Sequence, residues 1–111
     1  MVVIGLDVSL SSTGWSVLKD DKLINFGLIE TKKGDKRLNI IYNNIRELLI
    51  TYSPNEVHME DGFIGPNRKT SMEITKARSI VELLCEQLDL NLLLVPPSSV
   101  KKQVTGNGKS K

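Results

Sequence analysis

The chain has 111 residues, 40% of them apolar and 25% charged, which is enough for one small domain with its own core and excludes a disordered chain. Its net charge of +2 is slight but uneven: from Pro96 to Lys111 there are four lysines (Lys101, Lys102, Lys109, Lys111) and no acid, an end that attracts phosphate or is simply solvated. The lone cysteine, Cys85, excludes an intrachain disulfide, and no apolar run is long enough to span a membrane.

Met1 leads straight into a strand pattern and not into a charged segment followed by an apolar signal helix, so a reducing cytoplasm is the expected compartment. Residues 2–8 are short, apolar and β-branched, the pattern of a buried strand. A second strand is expected over 14–19 and a third over 23–30, with Asp20, Asp21 and Lys22 as the turn between them. Gly34 and Asp35 break the chain, with Asp35 a candidate helix cap. Leu38, Ile41, Ile45, Leu48, Leu49 and Tyr52 then recur at three and four, one face of an amphipathic helix that Ser53 and Pro54 stop.

A fourth strand ends near Glu60, and residues 62–67 form a loop around Gly65 and Pro66. A long helix follows, with Ile74, Ala77, Val81, Leu84, Cys85 and Leu88 on its apolar side and Asn67 at its cap. The fifth strand covers 91–95, Pro96 and Pro97 end it, and Ser98 caps a short helix through Gln103 before the turn at 105–108. The order β-β-β-α-β-α-β-α gives an α/β fold. Three antiparallel strands are extended by two parallel strands, reached through right-handed helical crossovers, in one mixed five-stranded sheet. There is no internal repeat and no linker.

The candidate chemistry begins at Asp7, where an apolar strand runs into an acid and then into a turn of small residues, Ser9 to Gly14. A carboxylate at a strand end beside such a turn suits a metal ion and phosphate oxygens. One acid is not enough, and the best partner is Glu60, which closes the apolar strand 56–60. If the first and fourth strands are adjacent and parallel, the two acids meet. Alternation sends Asp61 to the face opposite Glu60, where it is expected to be solvated, and puts His58 on the face of Glu60, where packing is the expected role. Each acid taken alone is more ordinarily a turn or surface residue.

Four motifs in order carry a resemblance. They are Ile4-Gly5-Leu6-Asp7 with Ser11-Ser12-Thr13-Gly14-Trp15, then Met59-Glu60-Asp61-Gly62-Phe63, then Ala77-Arg78, then Val100 to Gly108. Together they resemble the RuvC family of Holliday-junction resolvases, most like its phage-type members, over essentially the whole chain. The resemblance implies an RNase H-like fold and a crossover junction endodeoxyribonuclease, a metal-dependent hydrolase that cuts four-way or other branched DNA.

It also implies Asp7 and Glu60 as catalytic acids and metal ligands, with Mg²⁺ or Mn²⁺, two ions in a complete site. Phe63 would stack on bases at the junction centre, and Lys101 would lie near the scissile phosphate. Either Lys109 or Lys111 would match a further lysine after the Gly-Asn-Gly turn. Lys102 and the backbone of that turn are placed to hold a phosphate, and Asn67, Arg68, Lys69 and Lys76 either reach DNA or serve the long helix. Arg78 faces either DNA or a partner subunit, since the family builds a two-fold dimer on this helix region, matching a junction with two equivalent strands to cut.

The chain departs from the family at Val8-Ser9, where Pro-Gly is common, and at Ser79, where Gly is common. The larger departure is that the family completes its site with further acid or histidine ligands on a later helix, so residues 1–111 are expected to be one nuclease domain lacking its C-terminal helices and weak or inactive alone. Two rivals remain: a nuclease-inactive module that binds branched DNA, and a fragment of an actin-like or sugar-kinase-like ATPase. The ATPase would need a second such domain and has no use for Glu60 to Phe63 or the lysine-rich end.

Overall fold

In the computed structural model, residues 1–61 and 67–96 are described. β1 (Val2–Asp7), β2 (Ser12–Lys19) and β3 (Lys22–Glu30) form an antiparallel meander. Its second turn is made by Asp20 and Asp21, both left-handed (φ 52° and 68°), the two-residue loop whose twist matches its strands and which aspartate tolerates. The Met1 ammonium sits 2.6 Å from Asp20 Oδ1, and this contact holds the Asp20 carboxyl below its usual range.

α1 (Arg37–Tyr52) buries Ile41, Ile45 and Leu49, spaced by one turn each. Two expectations fail here. Leu38, assigned to the apolar face, is 49% exposed, because it lies in the first turn, ahead of the residues that reach the core. Asp35 does not cap the helix: its Oδ2 accepts from the Lys32 N–H at 2.7 Å and its own N–H returns to the Lys32 carbonyl. The carboxylate is thus spent on a local turn, with Gly34 at φ 98°, and the cap position falls to Lys36, which makes no side-chain cap bond.

β4 (Glu56–Glu60) lies parallel to β1, and β5 (Asn91–Val95) lies parallel to β4. Between them runs α2 (Arg68–Leu88), which buries Ala77, Val81, Leu84 and Cys85. The strand order is β3-β2-β1-β4-β5, the mixed sheet expected from the element order. Ile4, Leu6, Val17, Val57 and Met59 point to one face and form a single core with both helices, which are also joined by a Tyr42 Oη to Gln87 Oε1 bond of 2.6 Å. Among the described residues no helix covers the other face, where Phe26, Leu28 and Leu93 stay exposed.

Asn55 fixes the register of the central pair. Its N–H donates to the Val2 carbonyl at 2.7 Å and its Oδ1 accepts from the Val2 N–H at 2.8 Å, so the ladder starts at Val3 opposite Glu56.

Substitution of Ile45 by Ala should cost about 2–5 kcal/mol of unfolding free energy in urea titration, whereas Leu38→Ala should stay within about 0.5 kcal/mol. Burial pushes the Cys85 thiol up to about 11, so at pH 8 iodoacetamide should label the urea-unfolded chain and largely spare the native one, with the difference closing as pH approaches that value.

Candidate functional site

The β1–β4 ladder pairs Ile4 with Val57, Gly5 with His58 and Leu6 with Met59. One residue further, Asp7 and Glu60 end their strands side by side. Leu6 and Met59 are fully buried against the helices, so alternation turns both carboxylates to the opposite face, which no described helix covers. Asp7 is exposed and Glu60 half-buried. The other cross-strand neighbour of Asp7 is Gly14, where an added Cβ would meet nothing within 4 Å, so the space beside the aspartate is open.

The turn that follows Asp7 holds itself together. Ser9 Oγ donates to the Ser12 carbonyl at 2.6 Å and accepts from the Ser12 N–H at 3.1 Å, while Thr13 Oγ1 donates to the Ser9 carbonyl at 3.0 Å. Val8 and Leu10 are buried beneath it, Thr31 Oγ1 donates to the Leu10 carbonyl, and the Thr31 N–H donates to the Ser11 carbonyl at 3.0 Å. The Ser9 and Thr13 hydroxyls are therefore spent within the turn, which mounts Asp7 on a backbone closed on itself. Ser11 is the exposed hydroxyl of the turn.

Past Glu60, the Asp61 N–H donates to the Val95 carbonyl at 2.8 Å. The Asp61 side chain is 60% exposed, as expected, yet it also meets Arg78: Nη2 lies 3.5 Å from Oδ1. Sequence reasoning missed this pair, because nothing in the spacing of Asp61 and Arg78 tells which turn of α2 passes the end of β4. Arg78 is turned onto that carboxylate and its side chain is only 17% exposed, which leaves little of it for DNA or a partner. His58 Nε2 lies 3.0 Å from Glu56 Oε1 on the sheet face shared with Glu60, a packed pair as anticipated.

Asn67 caps α2: its Oδ1 accepts from the Thr70 N–H at 3.0 Å. Arg68, Lys69 and Lys76 are exposed on the same helix. Phe63, Lys101, Lys102, Lys109 and Lys111, together with the Ser98 cap and the turn at 105–108, lie outside the described residues.

As a donor set, Asp7 and Glu60 offer the oxygen ligands that a hard divalent cation takes, in an open position at strand ends. Among the described residues no group of three or more His, Cys, Asp and Glu gathers as a metal site, so the pair fits a divalent ion as part of a ligand set and not as the whole of it.

The family model for the crossover junction endodeoxyribonuclease RuvC matches residues 3–111. The chain belongs to the RuvC family. It is 37% identical to the RuvC of Ehrlichia canis over its whole length, covering 75% of that protein, and 36% identical to that of Wolbachia pipientis over 96% of its length, covering 69%. Its fold matches that of Thermus thermophilus RuvC, solved in complex with a Holliday junction substrate, with a TM-score of 0.80 at 21% identity, over all of this chain and 72% of the other. The RNase H-like architecture expected from the resemblance is therefore the fold of this RuvC family member.

Replacing Asn67 by Ala should lower thermal stability by about 1 kcal/mol through loss of the cap, and Asn67→Asp should keep it; melting curves distinguish the two.

Proposed function

We propose that this RuvC family member is a structure-selective endonuclease that hydrolyses phosphodiester bonds in Holliday junctions or related branched DNA. The observation that carries this is the register of β1 against β4, which brings Asp7 and Glu60 side by side at neighbouring strand ends in the middle of the sheet. The relatives' name, crossover junction endodeoxyribonuclease, supports the same substrate class. Asp7 and Glu60 would hold Mg²⁺ or Mn²⁺, with two ions in a complete site. When bound, such ions neutralise charge at the scissile phosphate and lower the pKa of the attacking water.

The chain's own residues then divide the work. Asp7, on its self-closed turn and beside the open space at Gly14, would supply one carboxylate to the ion, and Glu60 would supply a second from the neighbouring strand. Phe63 would stack on an unpaired base, worth about 1–3 kcal/mol by analogy with single-strand binders. Lys101, Lys102 and one or both of Lys109 and Lys111 would neutralise phosphates, and Asn67 and Arg78 would border the DNA through whatever capacity their cap and ion pair leave.

The exposed stripe Met72, Lys76, Ser79 and Leu83 on α2 supports a two-fold homodimer through that helix, two sites for two equivalent strands. A bacterial cytoplasm, that of a host if the chain is phage-encoded, is the compartment assigned; the lone cysteine and the bacterial relatives support it, and no described helix is long and apolar enough to cross a membrane. Among the described residues no third acid or histidine joins Asp7 and Glu60, which supports one nuclease domain in which the pair is part of a larger ligand set.

Incubated with a synthetic four-way junction and Mg²⁺ or Mn²⁺, the chain should nick it slowly in a metal-dependent way, and Asp7→Asn or Glu60→Gln should each slow nicking by at least about 100-fold, a loss typical of removing one group that stabilises transition-state charge. Junction binding in a gel shift with no metal-dependent nicking would favour the inactive binding module instead.

A further inference from the structure

We propose that Arg78 is a positioning residue: through Asp61 it holds the end of β4 against α2 and so fixes where the Glu60 carboxylate stands beside Asp7. This rests on reading Asp7 and Glu60 as metal ligands.

Arg78 projects from the best-anchored stretch of α2, next to Ala77 and one turn before Val81 and Leu84 come to the core, all three fully buried. Its own side chain is mostly buried, with Nη2 3.5 Å from Asp61 Oδ1. Asp61 is the first residue beyond β4, so it carries two restraints: its backbone N–H on the Val95 carbonyl of β5, and its carboxylate on Arg78. Neighbouring side chains in extended backbone point to opposite faces. Holding Asp61 toward the helix layer therefore directs Glu60 toward the open face, across one planar peptide unit.

The two strand ends are restrained differently. Asp7 is followed by a turn closed on itself through Ser9 and Thr13, whereas the residue after Glu60 is held from outside its own strand, by the Val95 carbonyl and by Arg78. Asp61 is too exposed for the pair to contribute much to global stability, so its effect should be local. Arginine suits the task because its planar fork keeps its direction when mostly buried, which a lysine ammonium on a flexible stem does less well.

The test compares the full chain with Asp61→Asn, Arg78→Gln, Arg78→Lys and the Asp61→Asn/Arg78→Gln double variant. Mn²⁺ binding, amide hydrogen exchange at Asp61 and melting temperature are measured for each. Near-wild-type melting is expected, with faster exchange at the Asp61 amide. Mn²⁺ affinity should fall about 10-fold in each single variant, the lower end for groups that support a metal ligand from behind. The double variant should be no worse than Arg78→Gln, and Arg78→Lys should recover part of the loss.

Unchanged exchange at Asp61 in Arg78→Gln overturns the tether, as do additive losses in the double variant. If wild type and Asp7→Asn bind Mn²⁺ alike, the ligand reading itself has failed. Exchange at Asp61, which needs no metal, still decides whether Arg78 orders the strand end.

Discussion

Everything in this molecule that bears on chemistry depends on the parallel pairing of β1 with β4. Two strands separated in sequence by β2, β3 and α1 are brought into one ladder, and Asn55 clamps its first rung to Val2 through both its backbone and its side chain. From that rung the register counts forward without a bulge to Leu6 opposite Met59. A slip of one residue would bury an acid and expose a core residue on every rung, so the hydrophobic face enforces the alignment at its full length. The placement of the two carboxylates is thus a by-product of packing Ile4, Leu6, Val57 and Met59 on one side of the sheet.

That arrangement concentrates like charge. Two carboxylates at the ends of adjacent strands repel one another, and side chains free to choose would move apart. The fold holds them together through backbone ladders and through the turn closed by Ser9 and Thr13, none of which depends on the acids' own charge. On the proposed reading of the pair as metal ligands, a cation would meet two carboxylates that the backbone already holds side by side, with little rearrangement of the chain. The openness at Gly14 belongs to the same logic, since the neighbouring strand adds no side chain beside the aspartate.

Much of this was legible in the sequence. Alternation and β-branched runs located all five strands to within two residues, and the three-and-four spacing of Ile41, Ile45, Leu49 and of Ala77, Val81, Leu84 located both helices. The Asp7–Glu60 meeting followed once β1 and β4 were taken as parallel neighbours. What was not legible depended on competition between local bonds. Asp35 could cap a helix or close a turn, and the free choice fell to the turn. Ser9 and Thr13 could face a ligand or each other's backbone, and they bond locally. Leu38 fits the periodicity but lies ahead of the residues that reach the core, a matter of where the helix begins relative to the sheet. Arg78 and Asp61 meet only because α2 passes the end of β4, which is tertiary information.

The two faces of the sheet constrain how the site can be completed. One face is filled: α1 and α2 cover it, and Ile4, Leu6, Val57 and Met59 leave no room there for a ligand or a strand of DNA. Asp7 and Glu60 open onto the other, so on the proposed reading of the pair as metal ligands a further ligand would come in over that side. The same side presents Phe26, Leu28 and Leu93, apolar surface that gains free energy when covered. On β4, beside Leu93, stand Glu56 and His58, already paired with each other and mostly withdrawn from solvent. A covering element would therefore meet apolar contacts toward the sheet edges and carboxylates at the strand ends. Both the apolar surface that such an element would bury and the carboxylates that it would meet lie on the same face of the sheet.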